Sequence, residues 1–177
     1  MNQMENLKYP IGRWHRPESY SDHQIHEWIQ VIRTLPGEIQ QLLEGKSEEV
    51  FMSRYRPEGW TLRQLIHHIA DSHINAYIRH KLTYTENQPR ICPYLENSWA
   101  DLRDVQLVQV QVSVQLLDCI HQRWVVFLEG VSGREWELEY IHPQHQRIFS
   151  LQESLSMYAW HSQHHLAHLK NALTQPY

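Results

Sequence analysis

Fourteen of the 177 residues are histidine, and seven of them crowd into two short segments. His67, His68 and His73 form one group, and His161, His164, His165 and His168 the other. Imidazole binds metal as the neutral ring near pH 7 and can also move protons there. Residues four apart lie on one face of an α-helix, because each residue advances about 100°. His161 and His165 form such a pair, and so do His164 and His168. Both pairs have the two-ligand spacing of helical metal sites. The glutamate of a zincin helix is missing, because Ser162, Gln163 and His164 fill the interval, so a zincin protease is disfavoured.

A helical wheel ranks the two pairs. The buried stripe reads Leu151, Leu155, Tyr158, Ser162, Leu166, Leu169 and Leu173. His165 lies roughly 60° and His161 roughly 100° from its centre, against about 160° for His164 and about 120° for His168. The wheel therefore chooses His161 and His165 and turns the other pair toward solvent. A catalytic zinc commonly takes three protein ligands and keeps one position open, so a third must come from another element. His67, His68 and His73 are the candidates. The wheel does not choose among them, although His73, central in its apolar stripe, reads more readily as a hydrogen-bonded core residue.

The elements that must position these rings are legible from periodicity and caps. The first twenty residues, with Pro10, Gly12 and Pro17, read as an extended arm. Ser21 can cap a helix from Asp22 to about Leu43, which Pro36 should kink or split. Thr61 and Gln64 make a capping-box pattern opening a second helix to about Tyr84. Residues 86–98, with Pro89 and Pro93, read as a long loop with a helical turn near Trp99. Val105 to Glu129 mixes alternating valines with helical spacing and is assigned as one helix on its length. Residues 135–141 and 147–149 flank His142-Pro143-Gln144-His145 as a small β-hairpin. Ser150 and Glu153 form another capping box, opening a last helix to about Leu173. Four long helices with short connections predict one all-α domain over residues 1–177, a four-helix bundle with an N-terminal extended arm and a small β-hairpin before the last helix.

Composition narrows the class. The net charge is −4, from 16 basic and 20 acidic residues without like-charge blocks, so no nucleic-acid partner is expected. No run of about 18 apolar residues offers a membrane span. The N-terminal segment lacks signal-peptide character, so a cytoplasmic location is expected. Cys92 and Cys119 form no Cys-x-x-Cys motif and read as two unpaired thiols.

Longer motifs resemble a known family. Gly59-Trp60-Thr61-Leu62-Arg63-Gln64-Leu65-Ile66-His67-His68-Ile69-Ala70-Asp71-Ser72-His73 is similar to the second helix of YfiT-like proteins in the DinB superfamily. Tyr158-Ala159-Trp160-His161-Ser162-Gln163-His164-His165-Leu166-Ala167-His168 resembles their last helix. Tyr9-Pro10-Ile11-Gly12, Pro93-Tyr94-x-Glu96-x₂-Trp99, His121-x-Arg123-Trp124 and Tyr140-x-His142-Pro143 match in the same order. The segment between Trp99 and His121 matches least. The resemblance implies a four-helix bundle, a homodimer, and one divalent ion per chain, zinc or nickel, on His68, His161 and His165. It also implies an activated nucleophile, as in candidate metal-dependent hydrolases or in bacillithiol-type thiol S-transferases.

A divalent ion on three neutral imidazoles keeps its full charge. In such a site it lowers the pKa of a bound water to about 7 and deprotonates a bound thiol outright. Two enzymatic readings follow, one with a small thiol and an electrophilic partner, the other with a small hydrolysable substrate. Asp71, three residues after His68, is the carboxylate spaced to support a ligand, or is simply solvated. The scarcity of other carboxylates near the ligands tilts the reading toward thiol transfer. A non-catalytic metal-binding protein would need a fourth ligand, His73 or His164. Arg63, Tyr77, Arg79, Arg123 and Trp160 are candidate pocket residues, each equally at home in a core edge or on the surface.

Overall fold

Two capping boxes open the helices that frame the molecule. In the computed structural model, which describes residues 3–174, the Ser21 hydroxyl accepts the Gln24 N–H at 3.2 Å and the Gln24 side chain accepts the Ser21 N–H at 3.0 Å. This starts helix α2, Asp22–Leu43. Thr61 and Gln64 do the same for α4, Leu62–Thr85. With α7, Val110–Glu129, and α8, Leu151–Thr174, they make a four-helix bundle in which α2 and α4 each pack against both α7 and α8. Pro36 does not split α2, which runs on to Leu43. What Pro36 removes is the N–H that would have reached the Ile32 carbonyl.

Four expectations need correction, the last of them in the first strand of the hairpin. The N-terminal arm is not wholly extended, since Gln3–Lys8 forms a short helix, α1, before an irregular stretch to Tyr20. Residues 1 and 2 of that arm, and residues 175–177 at the other end of the domain, lie outside the described part. The stretch assigned as one helix from Val105 is broken. Arg103–Leu107 is a separate helix, α6, and Val108 and Gln109 are extended, with ψ of 138° and 140°. The cause is the Val108 carbonyl, which leaves the helical ladder to accept Arg63 Nη1 at 2.7 Å and His67 Nε2 at 3.3 Å. The Ser150–Glu153 capping box is only half formed. The Glu153 N–H donates to Ser150 Oγ at 3.3 Å, but its buried carboxylate pairs with Arg147 and with Arg16 instead.

The minor elements are α3, Glu48–Phe51, α5, Glu96–Ala100, and a 3₁₀ turn, Gly133–Glu137. The turn takes residues 135–137 out of the expected strand, because Glu135 caps it through Ser132. The hairpin follows as β1, Glu139–His142, antiparallel to β2, Arg147–Ser150, with Glu139 opposite Ser150 and His142 opposite Arg147. Both cysteines are free and exposed. Among the described residues no helix is long and apolar enough to cross a membrane.

The bundle core comes in two parts. One includes Leu35, Ile39, Leu65, Ile69, Val110, Leu117, Leu166 and Leu169, and the other Ile29, Ile32, Ala76, Trp124, Leu128, Leu155 and Tyr158. Along α4 the two parts are separated by the stretch holding His73, along α7 by that holding His121, and along α8 by that holding His161 and His165. A polar histidine layer thus divides the apolar core. Trp124 closes the layer from one side. It is fully buried, and its indole N–H donates to His80 Nδ1 at 3.1 Å. Trp124→Ala is expected to cost about 3–5 kcal/mol, read as a lower urea midpoint with an unchanged slope.

Candidate metal centre

His68 projects from α4, and His161 and His165 from α8, into one point of the bundle. Their ring centroids lie 4.4–5.5 Å apart, and one ligand nitrogen from each falls within 4.8 Å of the others. The Nε2 atoms of His161 and His165 face each other at 3.1 Å. Two nitrogens bound to one tetrahedral zinc at about 2.05 Å sit about 3.3 Å apart, so this spacing fits an ion with little movement. Among the described residues no fourth histidine, cysteine, aspartate or glutamate joins these three.

The neighbouring histidines have other partners. His67 Nε2 donates to the Val108 carbonyl, and its Nδ1 accepts the Ser113 hydroxyl at 2.7 Å. It therefore ties α4 to α7, whereas His68 is the member of the pair that meets His161 and His165. His73 is completely buried and spans His161 Nδ1 at 3.1 Å and His121 Nε2 at 2.8 Å, the hydrogen-bonded core role read for it from sequence. The wheel was wrong about His164 and His168, which are buried at 7% and 2% exposure, whereas His161 is partly exposed. The wheel measured α8 against the bundle alone. The N-terminal segment and the loop before α4 cover its other side. The Tyr55 ring lies tilted against His168 with centroids 4.3 Å apart, the Leu7 carbonyl accepts from His168, and the Gly12 carbonyl accepts from Trp160. The Asp71 carboxylate makes no hydrogen bond to any of these rings, and burial, aided by Asp104, pushes its pKa up to about 6.

A cleft of about 480 Å³ opens beside His161. It is lined by Ser72, Arg79, Tyr94, Glu96, His142 and Tyr158, among others. Arg79 and Trp160, both candidates from sequence, lie on this cleft. Arg63 instead holds Val108 and pairs with Glu48, and Tyr77 stacks with Arg123 elsewhere on the surface. Tyr94, Glu96 and His142 escaped the residue-level reading. Their signal was present in the Pro93-Tyr94-x-Glu96 and Tyr140-x-His142-Pro143 motifs, which carried no chemistry on spacing alone. Burial raises the Glu96 pKa, with Arg79 and His145 opposing.

Fold and site together define a class, and comparison agrees. The model of the DinB superfamily matches residues 22–169, and the chain belongs to that superfamily. Within it, the chain is similar to the candidate metal-dependent hydrolase YfiT of Bacillus subtilis, 40% identical over 93% of this chain and 92% of that protein. A like-named protein of Halalkalibacterium halodurans is 40% identical over 96% of this chain and 98% of its own length. The solved structure of Bacillus subtilis YfiT, described as a candidate metal-dependent hydrolase with an unusual four-helix bundle topology, superposes with a TM-score of 0.91 at 39% identity. It covers 94% of this chain and 96% of its own. By sequence and fold the chain stands with the YfiT-like proteins of the DinB superfamily.

Ten histidines, the seven above with His80, His121 and His142, have pKa values lowered chiefly by burial, which disfavours the charged ring. His68, for example, is lowered to about 4. Below the unfolded value of about 6.5 the unfolded chain binds more protons than the folded one, so stability falls with pH. Asp71 and Glu96 act in the opposite sense but are outnumbered. Thermal melts of chelator-treated protein should show Tm dropping from pH 6.5 to 4.5; a constant or rising Tm would contradict neutral buried rings.

Proposed function

We propose that His68, His161 and His165 hold one divalent ion, zinc or nickel, and that the protein is a metal-dependent hydrolase of a small substrate. The observation that carries this reading is three converging imidazoles, joined by no fourth side-chain ligand among the described residues, one of which, His161, lines a cleft. A three-ligand site leaves a position for water or substrate, the arrangement of catalytic rather than structural centres. When bound, the ion supplies Lewis acidity and a nucleophile at neutral pH. The chain's own residues do the rest. His161 and His165 present their Nε2 atoms, and Tyr94, Tyr158 and Arg79 face the cleft with hydrogen-bond donors. Glu96, at the exposed side of the cleft with its pKa raised by partial desolvation, is placed to hold or give up a proton there. Thiol transfer gained weight in the sequence from a lack of nearby carboxylates, and Glu96 fills that gap.

Arg79 points to the substrate's charge. It is 7% exposed, and no carboxylate lies within ion-pair distance of it among the described residues. Its Nη1 donates to Tyr158 at 3.2 Å, its Nη2 reaches the Cys92 carbonyl at 3.5 Å, and its Nε is buried without a partner. Glu96, in the same cleft, feels Arg79 but lies beyond ion-pair distance; a buried cation so incompletely compensated is costly, and a substrate carboxylate or phosphate would relieve that cost.

The thiol S-transferase reading keeps one observation in its favour. An all-imidazole donor set contributes no negative charge, which suits an anionic thiolate such as that of a bacillithiol-type cofactor. Zinc-loaded protein should cleave a chromogenic ester without added thiol. Conjugation of an electrophilic dye only when thiol is present would replace hydrolysis by thiol transfer. His161→Ala should lose stoichiometric zinc at pH 7.5 as well as turnover, while His168→Ala still takes up one zinc at saturating concentration. Equal loss in both would refute the ligand choice. Arg79→Gln should raise KM for an anionic ester roughly tenfold or more relative to a neutral one; an equal change for both would remove Arg79 from substrate recognition.

A further inference from the structure

A helical carbonyl normally accepts the N–H four residues ahead. Two carbonyls beside the metal centre lack that donor. Ile32 faces Pro36, which has no N–H, and Leu7 lies in the last turn of α1. Each is taken by a histidine. His121 Nδ1 bonds the Ile32 carbonyl, and His168 Nε2 lies 3.1 Å from the Leu7 carbonyl. A carbonyl can only accept, so both of these ring nitrogens carry hydrogen. A neutral imidazole has a single N–H. None of these buried rings has a carboxylate within ion-pair distance, and an uncompensated buried imidazolium is costly, so each has one bare nitrogen.

The remaining hydrogens follow by elimination. His121 Nε2 is bare, so His73 donates to it through Nδ1 at 2.8 Å. His73 Nε2 is then bare, and His161 donates to it through Nδ1 at 3.1 Å. That leaves His161 Nε2 bare. On the other side, His168 Nδ1 is bare, so His165 donates to it through Nδ1 at 3.3 Å, which leaves His165 Nε2 bare. The two chains end on two lone pairs facing each other at 3.1 Å with no hydrogen between them. A cation between them removes that repulsion.

We propose that His121 with His73, and His168, are positioning residues that fix His161 and His165 in the Nδ1–H form, so that both turn Nε2 toward one divalent ion. This rests on the three-histidine metal centre proposed above. It assigns Pro36 a role too, as the residue that frees the Ile32 carbonyl to anchor the longer chain. A rival occupant exists, since His164, His165 and His168 also hold ligand nitrogens within 4.8 Å of one another. A second ion there would need His165 Nδ1 bare, so the two arrangements exclude each other while His165 stays neutral.

The test is ¹⁵N-histidine NMR of the zinc-loaded protein with a zinc count per chain. The expected result is Nδ1–H on His161, His165, His73 and His121, Nε2–H on His168, zinc shifts on the Nε2 atoms of His161 and His165, and one zinc per chain. His73→Leu and His168→Leu should each weaken zinc binding about 10–100-fold. His73→Gln and His168→Gln should recover most of that loss, because an amide both accepts and donates. Zinc bound through Nδ1 of His161 or His165, Leu variants no weaker than their Gln counterparts, or two zinc ions per chain would overturn the proposal while leaving the ligand triad standing. Zinc that shifts none of rings 68, 161 and 165 would overturn both. The NMR readout uses the unsubstituted protein, so a variant that fails to fold does not decide the outcome.

Discussion

A buried imidazole is tolerable when it is neutral and its one N–H has an acceptor, and this condition governs the interior of the protein. In the layer between the two apolar clusters, several rings hand their hydrogen to another protein group. His67 gives it to Val108, His121 to Ile32 and His168 to Leu7. Backbone carbonyls without their usual helical donors are therefore part of the site. The helix break at Val108, the proline inside α2 and the short helix α1 each supply one.

The same condition explains why the bundle departs from an uninterrupted one. A continuous helix through Val108 would engage its carbonyl in the ladder and cost His67 and Arg63 their bonds to it. A bundle without the N-terminal segment would leave His164 and His168 facing solvent, as a wheel drawn for α8 alone suggests. Their burial needs a segment more than 140 residues away in the chain, and Leu7, Tyr9 and Gly12 provide it. Stability and site assembly are thus linked, because covering α8 and orienting its rings are one event.

Outside the layer, the cleft adds a different kind of polarity. Arg79, Glu96, Tyr94 and Tyr158 come from α4, the loop after it, α5 and α8, and they meet because the hairpin and α5 pack against α4. The relatives are described as candidate metal-dependent hydrolases, and the proposal of a small anionic substrate rests on this cleft. A carboxyl with a raised pKa and a buried cation beyond ion-pair distance of it share that cleft.

Much of this was legible in the sequence, for reasons that are local. Helical periodicity and the Ser21 and Thr61 capping boxes depend on neighbours within a turn, so the four bundle helices and the hairpin could be read residue by residue. His161 and His165 share a helix face by spacing alone. Other features needed the tertiary structure, because they depend on groups far apart in sequence. Only packing showed that Val108 leaves its helix for Arg63 and His67, that Glu153 abandons its cap for Arg147 and Arg16, and that α1 covers His168. His68 could be taken from the family motif, but the rings themselves left His67, His68 and His73 open until α7 claimed His67 and His121 claimed His73. A wheel knows which way a side chain leaves its own helix; what waits on the other side is decided by the rest of the fold.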